Sequence, residues 1–232
     1  MPTIKETAVI TGANRGLGLE FVRQMLNSGY KVIATCRQPD DAEELYQLAG
    51  SGSLTVLPLE VDDPHSVDSF IKAMDEQPVD ILVNNAGVMG APAQDIDNME
   101  VNLWLKLLRV NTIAPFELTT RLLPNLRMSD RPRVIAMSSQ MGALNSNGEG
   151  FYAYRSSKAA LNKVMQTLAI QLAKEHIIVC PVLPGWVQTD MGGKDADISV
   201  DESVKGMMRL LENLSLEQSG QFLTWHGTQH TW

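Results

Sequence analysis

Cysteine is scarce in this chain: 232 residues hold two, Cys36 and Cys180, far apart and each inside an apolar run. Such a pair builds no disulfide framework and reads as two separate buried thiols in a reducing compartment. Long apolar runs are missing as well. None approaches the 18 or so residues of a membrane span, and Met1-Pro2-Thr3-Ile4-Lys5-Glu6 contains no apolar signal core. The expected location is therefore the cytoplasm, with no membrane as partner. Positive charge is outnumbered, 19 Lys and Arg against 27 Asp and Glu, for a formal net charge of -8, which argues against nucleic acid as a partner. Histidine occurs four times. His226 and His230 stand four apart but no Cys or carboxylate cluster accompanies them, so no metal site is expected. Repeats, low-complexity tracts and interdomain linkers are absent too, and the length suits one domain with a substantial core.

Strands alternate with helical periodicity along the chain. Strands are expected at 7–11, 31–36, 54–61, 79–83, 133–137, 177–182 and 220–224, and helices at 41–49, 64–74, 99–110, 115–126, 151–174 and 200–211, besides the helix that follows the first strand. This alternation predicts an α/β fold, a single-domain Rossmann-type doubly wound parallel sheet of about seven strands with helices on both faces.

The first strand ends in Gly12-Ala13-Asn14-Arg15-Gly16-Leu17-Gly18, and a helix follows. Glycines at such a turn let backbone N–H groups at a helix start approach a pyrophosphate, whose charge the helix dipole favours. The second strand ends in Cys36-Arg37. An NAD site places a carboxylate here, about 20 residues beyond the glycines, to bind the ribose 2′-hydroxyl. With that acid missing, Arg37 and Arg15 are placed to clamp a 2′-phosphate, which points to NADP(H). Asp40 and Asp41 read as the start of the next helix. The fourth strand runs into Asn84-Asn85-Ala86-Gly87, at the kind of strand end where ligands gather in open parallel sheets.

Tyr154 and Lys158 stand four apart in a helical stretch and so share one face. A free phenol titrates near pH 10, and a neighbouring ammonium is expected to lower that value and make the phenol a usable proton donor. Ser138 and Ser139 follow the fifth strand, from which either hydroxyl could hold a substrate carbonyl oxygen against the phenol. Asn111 interrupts two apolar helices, a position that on its own suits a kink or a satisfied core amide. Met89, Met141, Trp186 and Met191 offer adaptable apolar walls for a small or medium substrate. The Gly- and Asp-rich segment within 186–205 has the composition of a substrate lid.

Thr11 to Gly18, Asn84-Asn85-Ala86-Gly87, the serine pair, Tyr154-x-x-x-Lys158 and Pro184-Gly185 occur in the order of the short-chain dehydrogenase/reductase family, which the chain resembles over essentially its whole length. Within the family it is most similar to the C-factor and Sniffer-like group of carbonyl reductases, through 153–162 and 184–193. The resemblance implies an NADPH-dependent reductase acting on a ketone, aldehyde or quinone. It makes Tyr154 the general acid, gives Lys158 the nicotinamide ribose, and lets Ser139, which heads an S-x-x-G pattern ending at Gly142, orient the substrate oxygen. Asn111 would hold a water of the proton relay. Gly12, Asn14, Arg15, Gly16, Leu17, Gly18 and Arg37 would serve the adenosine and pyrophosphate side, Glu60 and Val61 the adenine, and Asn85, Ala86 and Gly87 the ribose. Pro184, Gly185, Val187 and Thr189 would meet the nicotinamide amide.

Two features depart from the family pattern. Glu60 stands where Asp is usual, and the stretch from Ser139 to Tyr154 is two residues longer than the commonest spacing. The resemblance also implies a homodimer or homotetramer, for which Leu118, Leu122, Leu161, Met165 and Leu168 are candidates, with core packing the equal alternative. A signalling or regulatory protein that keeps the fold with little turnover is the second functional class.

Overall fold

The computed structural model describes residues 6–49, 52–91 and 94–232. Seven parallel strands form one sheet in the order β3-β2-β1-β4-β5-β6-β7: β1 Thr7–Ile10, β2 Lys31–Cys36, β3 Leu54–Pro58, β4 Ile81–Asn84, β5 Arg133–Met137, β6 Ile178–Leu183 and β7 Leu223–Thr224. Ala8 pairs with Val32 on one side and Ile81 on the other. The strand order reverses between β1 and β4, so their carboxyl ends open a crevice.

Side chains alternate across the pleat, and in a sheet covered on both faces each alternate set meets its own helical layer. Ala8, Ile10, Val32, Ala34, Val83 and Ile135 pack against α1 (Gly16–Asn27) and α8 (Val200–Asn213). Val9, Ile33, Leu82, Val134 and Val179 face α3 (Pro64–Met74), α5 (Ala114–Arg121) and α7 (Tyr152–Leu172). Leu118, Leu122, Leu161, Met165 and Leu168 all lie in this second core at 3% exposure or less. For them the structure selects core packing over a subunit interface.

Several boundaries differ from expectation for identifiable reasons. The helix expected at 41–49 shrinks to α2, Glu43–Gln47, because a 3-10 turn at Pro39–Asp41 precedes it and Ala42 leaves helical geometry at φ -95°, ψ 55°. The last strand keeps only Leu223 and Thr224, since Gly220 adopts φ +84°. The two helices expected to part near Asn111 are one body instead. Val101–Leu108 (α4) passes through a π turn, Arg109–Ile113, into α5, and α6 (Leu123–Leu126) follows.

Thr11 joins the two central strand ends. Its hydroxyl accepts from Asn85 N at 3.0 Å and Ala86 N at 2.9 Å. Asn85 N also reaches Val83 O, so removing the hydroxyl strands chiefly the Ala86 N–H. Thr11→Val should therefore lower stability by about 1–3 kcal/mol, with Tm falling about 2–4 °C per kcal/mol. Thermal unfolding of the two proteins measures this; equal Tm values would show that Thr11 is not the joint.

Candidate active site

The glycine turn is shaped by contact with the end of β4. Gly12 has φ +63°, and a Cβ there would lie 3.0 Å from Ala86 Cα; on Gly18 it would lie 2.3 Å from Gly12 O and 2.6 Å from Asn85 Nδ2. Asn85 Nδ2 donates to Thr11 O at 2.8 Å and Gly12 O at 3.0 Å, which fastens the turn. Arg15 precedes α1 in extended conformation, and its side chain does not cap the helix. The first-turn N–H groups therefore face outward beside exposed Asn14, Arg15 and Gly16, with Leu17 half-buried. This is an N-terminus suited to an anion.

Arg37 is exposed at the end of β2 and has no ion-pair partner among the described residues, whereas Arg15 Nη1 meets Asp190 Oδ2 at 2.8 Å. Glu60 is exposed just beyond β3, its N–H donating to Ser66 Oγ at 2.8 Å, and Val61 beside it is buried.

Across the crevice, Tyr154 and Lys158 occupy the first two turns of α7, both buried. Lys158 Nζ donates to Met137 O at 2.7 Å, the last carbonyl of β5, and lies 5.8 Å from the Tyr154 ring centroid. The two serines after β5 part company. Ser138 is buried and its hydroxyl donates to Asn162 Oδ1 at 2.5 Å, whereas Ser139 is half-buried and its hydroxyl is near enough to the Tyr154 phenol to favour the phenolate. Ser139 Oγ also accepts from Met141 N at 3.2 Å, starting the 3-10 turn Gln140–Gly142. Gly142 is needed there because a Cβ would come within 2.7 Å of Lys158 Cβ.

Asn111 sits inside the π turn, 1% exposed. Its Oδ1 accepts from Val88 N at 2.9 Å, and its Nδ2 donates to Val88 O at 2.8 Å and Ser157 Oγ at 3.0 Å. A Cβ on Gly87 would lie 3.3 Å from Asn111 Oδ1 and 3.5 Å from Lys158 Nζ. The Asn85–Gly87 turn, Asn111 and Lys158 thus converge.

Burial decides the electrostatics. It pushes the Tyr154 phenol above its ordinary value against the lowering effect of the Ser139 hydroxyl, and it pushes Lys158 down to about 8. From the i, i+4 spacing alone Lys158 is expected to draw the phenol down; in the folded protein loss of water is the larger effect.

The loop after β6 closes the third side. Gly185 takes φ +88°, and a Cβ there would meet Ile198 Cδ1 at 2.6 Å. Buried Val187 bridges to Ile198, Gln188 N donates to Ile198 O at 3.0 Å, and Trp186 Nε1 donates to Gly192 O at 2.7 Å. Thr189 reaches back toward the glycine turn, its Cγ2 3.6 Å from where a Gly16 Cβ would be. Residues 200–205 of the expected lid belong to α8, whose Ser203 donates to Pro184 O at 2.7 Å. The loop proper is 186–198.

Trp186 and Met191 are exposed on it, and Met89 and Met141 pack in a small apolar cluster around Leu107, Ala153 and Tyr154. Toward the C-terminal end, His226 meets Thr228 Oγ1 and His230 packs on Phe222, as does Trp232. Both cysteines are free and buried.

Three contributors escaped the sequence reading. Thr11 appears in the quoted motif without a role. Trp104 donates from Nε1 to Ser156 Oγ at 2.7 Å beside Tyr154's helix. Gln94 lies in a loop without periodicity, yet its side chain bonds the Tyr154 backbone. No sequence signal marks either of the last two.

Fold and site together define an oxidoreductase of the doubly wound α/β class. Residues 6–198 match the short chain dehydrogenase family, and the chain belongs to it. It is 40% identical over 158 residues to C-signal of Myxococcus xanthus, an alignment covering 67% of this chain and 93% of that protein. Carbonyl reductase Sniffer of D. melanogaster superposes with a TM-score of 0.91 at 32% identity, over 98% of this chain and 99% of that one. An NADPH bound carbonyl reductase from chicken fatty liver gives a TM-score of 0.91 at 36% identity, over 99% and 100%.

The depressed lysine has a measurable consequence. Unfolded, Lys158 keeps its proton toward 10.5; folded, it releases it near about 8. Between those values the unfolded chain binds the extra proton, so stability rises with pH. In a Tyr154→Phe background, which removes the phenol's titration, stability relative to Tyr154→Phe/Lys158→Met should rise by about 3 kcal/mol across this interval. Urea unfolding at each pH reads it, and a pH-independent difference contradicts it.

Proposed function

We propose that this protein is an NADPH-dependent reductase of a small or medium ketone, aldehyde or quinone, an oxidoreductase of the EC 1.1.1.- type. The observation that carries the reading is the convergence of Ser139, Tyr154 and Lys158 at the carboxyl end of β5, opposite the Asn85–Gly87 turn. The cleft also fits the cofactor: Arg15 at the start of α1 makes no side-chain cap, Gly12 and Gly18 leave no room for a side chain, and Arg37 has no ion-pair partner among the described residues where an NAD site would carry an acid. The NADPH in the chicken reductase supports the same assignment.

Arg37 and Arg15 hold the 2′-phosphate, and Gly12, Asn14, Gly16, Leu17 and Gly18 the adenosine and pyrophosphate. Glu60 and Val61 flank the adenine, and Asn85, Ala86 and Gly87 the ribose. Pro184, Gly185, Val187 and Thr189 meet the nicotinamide amide, and Tyr154 and Lys158 the nicotinamide ribose. When bound, NADPH supplies the hydride. Ser139 Oγ positions the carbonyl oxygen, and Tyr154 Oη gives its proton to that oxygen as negative charge builds there. The Lys158 ammonium, made more acidic by burial with a pKa of about 8, then passes a proton to the phenolate, with Asn111 holding the water that resupplies it. Segment 186–198 closes as a lid over the substrate, with Trp186 and Met191 as apolar wall.

The buried free thiols suit the cytoplasm. The exposed apolar residues Val101 and Leu105 on α4, Ile113 in the π turn and Phe116 on α5 support a homodimer or homotetramer. A signalling role with little turnover is the second reading, favoured by the 40% identity to C-signal.

Tyr154→Phe should keep NADPH binding, followed by fluorescence, and lose at least about 100-fold in kcat over a panel of aldehydes, ketones and quinones. Binding with no turnover by the unmodified protein would favour the signalling reading. Arg37→Ala should weaken NADPH by about tenfold or more, as expected for loss of a charge-assisted contact, and leave NADH nearly unaffected. Equal effects on the two dinucleotides would refute the 2′-phosphate assignment.

A further inference from the structure

We propose that Gln94 is a positioning residue that fixes Tyr154 for proton transfer by capping the start of α7 from a distant loop, an inference that rests on the reductase reading for its catalytic consequence.

Helix α7 begins without help from its own neighbourhood. Phe151, at the N-cap, adopts a left-handed φ of 53° and supplies no side-chain hydrogen bond. The first N–H groups of a helix have no partner within it, and two of those in this first turn are accepted by one residue. Tyr152 N donates to Gln94 O at 3.3 Å, and Tyr154 N donates to Gln94 Oε1 at 3.0 Å. The same amide donates from Nε2 to Met89 O at 2.7 Å and Ala91 O at 2.8 Å, and the residue is fully buried.

A primary amide is the group that meets these demands, since it presents two donors and an acceptor at one end of a flexible stem. Aspartate, glutamate or serine, the usual capping chemistry, would satisfy Tyr154 N but not both loop carbonyls. The loop is shaped to receive it: Gly90 adopts φ +80°, and a Cβ there would lie 3.1 Å from Gln94 Nε2. The segment so fastened continues directly from the Asn85–Gly87 turn through Val88, which Asn111 grips on both sides. Gln94 therefore ties the helix bearing the proton donor to the strand-end turn assigned to the cofactor, and keeps the two reacting sides in register.

The test is Gln94→Ala and Gln94→Glu in the full chain, with kcat, NADPH affinity and amide hydrogen exchange measured on each. In Gln94→Ala, kcat should fall about 10- to 100-fold, as small misplacements of a reacting group do, with NADPH affinity within about twofold of wild type. The Tyr154 amide, protected in the wild type, should exchange at least about tenfold faster.

Gln94→Glu supplies a pH signature and covers the case in which the alanine variant fails to fold. Its protonated carboxyl restores one donor and one acceptor, and facing two carbonyl oxygens it titrates above the ordinary carboxylate range. Its kcat relative to wild type should recover as the pH is lowered and collapse as it is raised. A general packing role would not produce that profile.

Wild-type kcat and wild-type Tyr154 exchange in both variants would overturn the proposal. So would a loss of NADPH affinity equal to the loss of kcat, which would make Gln94 a general structural support. If the wild type reduces no carbonyl while Gln94→Ala still exposes the Tyr154 amide, the cap stands and the reductase reading fails.

Discussion

Parallel strands share one direction, so the carboxyl ends of β1, β4, β5 and β6 lie along a single edge of the sheet. The residues assigned to the chemistry hang from that edge, from α7 leaning over it or, for Asn111, from the π turn between α4 and α5. Gly12 to Gly18 leave β1, Asn85 to Gly87 leave β4, Ser139 leaves β5 and Gly185 leaves β6. What turns an edge into a site is a set of short bonds: Asn85 N and Ala86 N to Thr11 Oγ1 and Asn85 Nδ2 to Gly12 O between neighbouring strand ends, and Lys158 Nζ to Met137 O between α7 and the end of β5. These bonds are buried or half-buried, where a hydrogen bond is costly to leave unmade. The crevice is therefore as rigid as the sheet beneath it, which is the condition for preorganised catalysis.

The fold was legible because its signal is periodic. Val9 and Ile10 fall on opposite faces, and such alternating strands separated by helices admit few arrangements other than a doubly wound sheet. Of the site, the sequence shows what depends on local spacing: the glycine turn, the i, i+4 pair of Tyr154 and Lys158, and the missing acid beside Arg37. It does not show what depends on contacts across the fold. Asn111 reads as a break between helices, whereas its amide is engaged by Val88 and Ser157 within a π turn, an irregularity frequent at functional sites. Gln94 is invisible because the helix amide it caps lies 60 residues away, and the preference for Ser139 that the S-x-x-G pattern implies gains its physical reason only from Asn162, which takes up the Ser138 hydroxyl. Hydrophobic helix faces mislead for the same reason. Leu118 and Met165 have the pattern of either an interface or a core, and only the sheet behind them decides.

The buried lysine shows how function and stability oppose one another. Lys158 loses water on folding and gains a hydrogen bond to Met137 O. That bond does not offset the desolvation of its charge, which is why its pKa falls to about 8. An apolar residue would suit the same space at lower cost. The same burial raises the phenol, so the folded protein holds both groups closer to their neutral forms than water would. For carbonyl reduction that arrangement is useful: a protonated phenol is the species that donates, and a lysine ammonium made more acidic by burial can resupply it. Burial thus prepares the acid, while the hydrogen bonds at the strand ends prepare its position. Neither alone would suffice, because a correctly tuned phenol displaced from the carbonyl oxygen transfers no proton. Gln94, bonded to Met89 O and Ala91 O on one side and to the start of α7 on the other, joins the two conditions in one structure.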